Sequence, residues 1–223
     1  MRATEFTTET CIQEYDAGSE SSKQITAKLK QLGYKMLGSG QDATVWTKDA
    51  GSVIKILMPT YDQELSDSAF LVFYEFCQKH KSPFLPKFIN IGGAAHTAFE
   101  LNGKQYRQIS MEKLATLPSG GLMEKMVWAL SDLSSVPFIK WQNVKQQLAS
   151  ADFWKDFPNP GNHTEEVTQA LDNPQLEKQY ASLFTVMQQL YQTGRQHGLG
   201  WDLHTENVMA RGNIPVITDP YFS

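Results

Sequence analysis

Ile25, Leu29 and Leu32 recur at helical spacing and the run stops at Gly33, which predicts a short helix as the first regular element. Ahead of it, residues 1–24 are rich in Thr, Glu and Ser and lack periodic apolar positions, so they read as a loosely ordered arm. Past Gly33 the pattern becomes β-favouring. Tyr34 to Leu37, Thr44 to Thr47 and Ser52 to Leu57, separated by Gly38-Ser39-Gly40 and Asp49-Ala50-Gly51, predict a three-stranded antiparallel meander. Asp62 to His80 holds too many consecutive apolar residues for a surface helix, and its length predicts a helix buried on more than one side. Strands are then expected at Phe88 to Ile91 and Thr97 to Leu101, with Asn102-Gly103 turning the chain into Lys104 to Met111. The first half therefore reads β-β-β-α-β-β.

After Leu114 strand signals nearly vanish. Met123 to Leu133, Phe138 to Leu148 and Glu165 to Leu171 look helical, broken by Pro137, Pro158 and Pro160. The strongest helix signal comes last. Asn173 can cap it, Pro174 suits its first turn, and Leu176, Tyr180, Leu183, Phe184, Met187, Leu190 and Tyr191 form one apolar stripe, expected to be core. No internal repeat is visible.

Composition narrows the function classes. The 223 residues carry 20 Lys and Arg against 24 Asp and Glu, a net charge of −4, which argues against a broad nucleic-acid footprint and for a small ligand if a nucleotide is bound. No apolar run approaches the roughly 20 residues of a membrane span, and the N-terminal stretch lacks a secretion signal, so a cytoplasmic protein without membrane partners is expected. Cys11 and Cys77 make no disulfide framework, and the histidines show no zinc-protease spacing. Asn162-His163-Thr164 matches a glycosylation acceptor by chance in such a chain.

Several polar residues sit where chemistry could use them. Gly38-Ser39-Gly40 lies between two predicted strands, where backbone N–H groups can close over phosphate oxygens, although such a turn also serves plain hairpin geometry. Lys55 stands in the apolar strand Val53-Ile54-Lys55-Ile56 and Glu75 in the apolar helix Phe70 to Phe76; a Lys55–Glu75 pair would satisfy both. More specific is the C-terminal pattern. Asp202, then Asn207 five residues on, then two apolar strands, then Asp219 is what phosphoryl transfer needs: a carboxylate to orient a hydroxyl, and an amide and a carboxylate as hard oxygen ligands for magnesium.

In this order the chain resembles the protein-kinase-like superfamily from Leu37 onward. Within it the chain is most similar to the early serine/threonine protein kinases of phage T7 and its relatives, through Tyr34-Lys35-Met36-Leu37-Gly38, Val53-Ile54-Lys55, Asp202-x-His204-x-x-Asn207 and Ile217-Thr218-Asp219-Pro220. The resemblance implies an α+β, two-lobed kinase-like fold. Residues 25–111 would form a small antiparallel-sheet N-lobe, and 112–223 a short helical C-lobe truncated after the metal-binding Asp219. Gly38, Ser39 and Gly40 would cover the ATP phosphates, and Lys55, held by Glu75, would touch the α- and β-phosphates. Met111-Glu112-Lys113-Leu114 would be the hinge whose backbone meets adenine. Asp202 would be the catalytic base, Asn207 and Asp219 would bind Mg2+, and His204 would stand near the transferred phosphoryl group, as it does in small-molecule kinases of the aminoglycoside and choline type.

Three departures from the pattern matter: Ala43 for the third loop glycine, Gly200-Trp201 for the usual His-Arg, and Pro220-Tyr221 for Phe-Gly, with the chain ending at Ser223. No activation segment follows, so control by activation-loop phosphorylation is not expected. The helical stretch from about Ser119 to Asn173, with Trp128, Trp141, Phe153 and Trp154, is then the candidate docking surface. The expected activity is ATP- and Mg2+-dependent serine/threonine kinase action, by resemblance that of a phage protein on host protein substrates. A small-molecule phosphotransferase and a non-catalytic kinase-like binding module are the alternatives.

Overall fold

The computed structural model describes residues 20–40, 43–57, 69–90, 96–155 and 163–222. The chain divides into two compact units, one made of Met1–Ser68 with Lys87–Lys113, the other of Ala69–Pro86 with Leu114–Ser223.

The first unit opens with α1 (Glu20–Gln31), whose Glu20 in the first turn and Lys28 and Lys30 in the last complement the helix dipole. It ends where the spacing predicts. Gly33 takes φ +86°, with Gly33 N–H bonded to the Lys30 carbonyl and Tyr34 N–H to the Leu29 carbonyl, a left-handed stop that glycine makes without strain. The helix begins earlier than expected, so residues 20–24 belong to it and not to a loose arm, and Ser21 and Ser22 are buried. The rest of the proposed arm, with Cys11, lies outside the described residues.

Five strands follow: β1 (Lys35–Ser39), β2 (Ala43–Thr47), β3 (Ser52–Leu57), β4 (His96–Leu101) and β5 (Lys104–Glu112). They form one antiparallel sheet in the order β1-β2-β3-β5-β4. Alternation splits the sheet into two faces. Trp46, Ile54, Ile56 and Tyr106 point to the α1 side and pack with Ile25 and Leu29, flanked by Met36, Phe99 and Leu101. The buried Trp46 indole N–H donates to Thr44 Oγ1 at 2.9 Å, so no donor is stranded in that core. Asn102 and Gly103 turn the β4–β5 hairpin with φ of 53° and 74°, as their chemistry predicts. The strand expected at Phe88 to Ile91 is reduced to a bridge between Phe88 and Met111, with Ile89 N–H on the Ser110 carbonyl; Ile91 lies outside the described residues.

The second unit contains α2 (Ala69–Lys79), β6 (Ala115–Thr116), α3 (Leu122–Ser134), α4 (Trp141–Leu148), α5 (Ala151–Trp154), α6 (His163–Leu171) and α7 (Pro174–Gln196). It ends in β7 (Gly200–Trp201), β8 (Val208–Arg211), β9 (Ile214–Ile217) and β10 (Tyr221–Phe222). The helix α2 groups with this unit and not with the strands that flank it in sequence. The expected start of that helix at Asp62 falls outside the described residues. Long α7 packs on α2, α3, α6 and β7, burying Tyr180, Leu183, Phe184, Met187 and Leu190, five members of the predicted stripe. Its cap is the predicted one: Asn173 Oδ1 accepts from the Gln175 and Leu176 N–H groups at 2.9 and 3.3 Å.

Other expectations shift. The helix predicted from Phe138 begins at Trp141, because Pro137 interrupts the chain and Phe138 sits at φ +57°, 95% exposed. Of the aromatics proposed as a docking surface, Trp154 is core at 2% exposure, its N–H on the Leu148 carbonyl, while Trp128 is 38% exposed. Cys77 is an inert packing thiol, its pKa pushed well up by burial. Among the described residues no helix is long and apolar enough to cross a membrane.

Two outcomes test this packing by chemical denaturation. Ile56→Ala, at the centre of the first core, is expected to cost about 2–5 kcal/mol. Asn173→Ala, which removes only the α7 cap, is expected to cost about 1 kcal/mol.

Candidate active site

The last turn of α7 closes like that of α1. Gly198 takes φ +71°, with Gly198 N–H on the Arg195 carbonyl and Leu199 N–H on the Gly194 carbonyl, and the chain leaves directly into β7. There Gly200 faces Phe222 and Trp201 faces Tyr221 across an antiparallel pair of two-residue strands. A side chain at position 200 would place Cβ 2.2 Å from the Phe222 ring, so glycine there lets that ring lie where it does. Asp202 is the residue after β7, and Asp219 precedes Pro220 and β10. The Asp202 N–H donates to the Pro220 carbonyl at 2.9 Å, and the Asn207 carbonyl accepts from both the N–H and the hydroxyl of Thr218, each at 2.9 Å. The β8–β9 hairpin carries the chain between these loops, with Val208 opposite Ile217, and Pro215 sits on its edge strand where no ladder donor is missed. Two acidic loops separated in sequence are thereby fastened together at their backbones.

Within that frame the side chains have defined roles. Asn207 Nδ2 donates to the Asp202 carbonyl at 2.6 Å and to Asp202 Oδ2 at 3.2 Å. Both partners only accept, which fixes the amide orientation and turns its Oδ1 away from Asp202. His204 Nδ1 accepts from the Glu206 N–H at 3.3 Å, and Nε2 lies 3.7 Å from Asp202 Oδ1 and 3.2 Å from Asn207 Nδ2. The Asp202 and His204 side chains are 44% and 45% exposed, open to an incoming molecule. Sequence reasoning missed the support beneath them. Ser131 of α3 donates its hydroxyl to the carbonyl of buried Leu203 and accepts from the Trp201 indole N–H at 3.4 Å. Its signal was a buried serine on an otherwise apolar helix face.

The structure thus brings the Asp202, His204 and Asn207 side chains together and ties the residues on either side of Asp219 to that loop, within the second unit. Among the described residues no three His, Cys, Asp or Glu side chains cluster as a protein-only metal cage. The carboxylates and amide of Asp202, Asn207 and Asp219 are hard oxygen donors, too few for a full coordination shell. That suits Mg2+, which keeps several waters and takes other ligands from substrate phosphates.

In the first unit, Lys55 is 8% exposed and lies directly across from Val45 on β2 and Ile109 on β5. Lys55 is therefore buried and not turned out to solvent. Alternation puts Lys55 on the sheet face away from α1, with Val53, Leu57, Val45, Ile109 and Met111. Gly38 pairs with Val45 on the same face, and the turn closes with the Gly40 N–H on the Ala43 carbonyl at 2.8 Å. A Cβ at Gly38 or Gly40 would meet nothing within 4 Å, and neither takes a positive φ, so the folded chain itself requires no glycine there. Gln41 and Asp42 of this loop lie outside the described residues.

Two expectations change. Glu75 was expected inside an apolar helix, needing Lys55 as partner. Its side chain is instead 65% exposed on α2 and 3.5 Å from Lys79 one turn on, so burial creates no need for the Lys55–Glu75 pair. At the proposed hinge, the Glu112 and Lys113 N–H groups are taken by the carbonyls of Lys87 and Gly51, and Glu112 Oε1 accepts from the Lys87 N–H at 2.7 Å. An adenine meeting the Met111 to Leu114 backbone could not use those two donors.

No family model and no curated protein matches the chain. Solved structures do. The streptomycin–ATP ternary complex of APH(2")-IIa shares 13% identity over 90% of this chain and 70% of that one, with a TM-score of 0.34. Amicoumacin kinase in complex with AMP-PNP, Ca2+ and Ami shares 14% over 93% and 65%, with a TM-score of 0.43. Spectinomycin phosphotransferase in complex with ADP and its antibiotic shares 13% over 88% and 68%, with a TM-score of 0.37. The chain thus spans about two thirds of the length of these three small-molecule kinases.

Proposed function

We propose that the protein is an ATP- and Mg2+-dependent phosphotransferase that moves a γ-phosphoryl group onto a hydroxyl of a small molecule. The observation that carries this reading is the fastening of the Asp202–Asn207 loop to Asp219 through the Pro220 and Thr218 contacts. Phosphoryl transfer asks little covalent chemistry of a protein and much positioning and charge stabilisation, which two acidic loops fastened at their backbones suit.

In this reading Asp202, open to solvent and held by Asn207, orients the acceptor hydroxyl and takes its proton. Asn207 and Asp219 hold the metal, which when bound neutralises charge on the transferring group. Lys55, an ammonium on an apolar sheet face, meets phosphate oxygens, and the open space over Gly38 and Gly40 lets backbone N–H groups approach them. Glu75 has no assigned part.

The small-molecule acceptor rests on His204. An imidazole hydrogen-bonded at Nδ1 and set beside Asp202 takes the place of the lysine found in protein kinases, and the Asp202-x-His204-x-x-Asn207 loop resembles that of small-molecule kinases. The expectation of a phage serine/threonine kinase acting on host proteins has no counterpart among the three structures named above.

The test is incubation with γ-labelled ATP, Mg2+ and either a panel of hydroxylated small molecules, aminoglycosides included, or a bacterial lysate. Label in small molecules supports the reading, label in protein bands moves the acceptor to protein, and no label with intact nucleotide binding makes the chain a binding module. Asp202→Asn is expected to lower transfer by roughly 10²–10⁴-fold with nucleotide affinity little changed. Asp219→Asn is expected to weaken Mg2+-dependent nucleotide binding as well, measured by calorimetry with and without the metal.

A further inference from the structure

Tyr221 stands where the kinase-like pattern has glycine, two residues past Asp219, and it is buried at 5% exposure. Its hydroxyl donates to the Leu190 carbonyl of α7 at 2.7 Å, which fixes the phenol at one height along the helix. Gly194 makes the seat. A Cβ there would lie 2.8 Å from Tyr221 Cε1 and 3.1 Å from Cδ1, closer than packed carbons approach. A glycine inside a helix is otherwise disfavoured. The ring also meets Phe73 of α2 edge-on at 6.5 Å and 84°, and lies 6.2 Å from Trp201, which meets Tyr191 of α7 edge-on at 5.6 Å.

We propose that Tyr221, seated on Gly194, is a positioning residue for phosphoryl transfer, setting where Asp202 and Asp219 stand relative to each other. The inference deepens the functional reading above and rests on it. Tyr221 is the strand partner of Trp201, which immediately precedes Asp202, and Pro220 alone separates it from Asp219. The proline ring fixes one backbone torsion of that link, and the Pro220 carbonyl holds the Asp202 N–H. A shift of the ring along α7 is therefore passed to both carboxylates with little slack, and small misplacements of reacting groups are expensive in rate. A ring that merely filled space would need neither a hydroxyl bonded to a helix carbonyl nor a glycine beneath it.

Tyr221→Phe keeps the ring and removes the hydroxyl. It is expected to lower kcat by about ten- to a hundredfold, to raise several-fold the Mg2+ needed for half-maximal binding of a fluorescent ATP analogue, and to speed exchange of the Asp202 amide hydrogen. Metal-free binding of the analogue should stay at the wild-type level. Gly194→Ala, which pushes the ring from its seat, should give the same pattern and serves if Tyr221→Phe fails to fold. Ile56→Ala, destabilising the other unit, is the control for general loss of stability and should leave the Asp202 exchange rate unchanged. A lower Tm in both site variants with wild-type Mg2+ requirement and wild-type Asp202 exchange would overturn the proposal. Wild-type protein that binds no Mg2+-nucleotide would overturn the functional reading itself, an outcome visible before any variant is made.

Discussion

The pairing of Gly200-Trp201 with Tyr221-Phe222 is the constraint on which the acidic cluster depends. Two strands of two residues each cannot hold themselves together in water. They persist because one side of the ribbon is an aromatic plug: Tyr221 is hydrogen-bonded to α7, and Trp201 is held between Tyr191 and the Ser131 carbonyl. Burial of those rings supplies the free energy, and the backbone hydrogen bonds supply the register. Asp202 and Asp219 both leave the ribbon at its Trp201–Tyr221 end, so the placement of their backbones is a by-product of apolar packing one or two residues away.

Glycines in this protein serve two physically different purposes. Gly194 and Gly200 are demanded by the protein, because aromatic rings occupy the space a Cβ would take. Gly33 and Gly198 are demanded by the backbone, which turns left-handed to end α1 and α7. Gly38 and Gly40 answer to neither requirement, and their freedom is directed outward from the β1–β2 turn. That contrast gives the loop its reading as a place where something other than this chain approaches closely. Lys55 stands on the same sheet face, at 8% exposure beside Val45, Val53, Leu57 and Ile109.

Local signals were legible wherever one short stretch contained its own cause. The α1 stop at Gly33, the Asn102-Gly103 hairpin, the Asn173 cap and the apolar stripe of α7 are each decided by residues within a turn or two, and each stands as read. The strong Asp202 to Asn207 spacing was legible for the same reason, since the loop closes on itself through Asn207 Nδ2. Readings that depended on a residue's surroundings fared differently. Glu75 lies in an apolar run, yet its position around the helix turns it to solvent beside Lys79. Trp154, in the stretch offered as a docking surface, takes the interior packing that such aromatics more often have, while Phe138 read as helix and is an exposed turn residue after Pro137. Apolar neighbours in sequence state the mean environment of a segment, not the direction in which one side chain leaves it.

The amino-acid sequence by itself determined the order of elements, the helix ends, the sheet alternation that buries Trp46 and Ile56 on one face with Lys55 on the other, and the identity of the residues able to bind oxygen-rich ligands. Tertiary structure alone decided that the residues flanking Asp219 are fastened to the Asp202 loop, that Ser131 supports that loop, and that Tyr221 bonds to α7 over Gly194. The reason is one of range. Periodicity and turn chemistry act over a few bonds, whereas each of these contacts joins residues dozens of positions apart or in separate elements, and only close packing of the folded chain selects among the many partners such residues could have had.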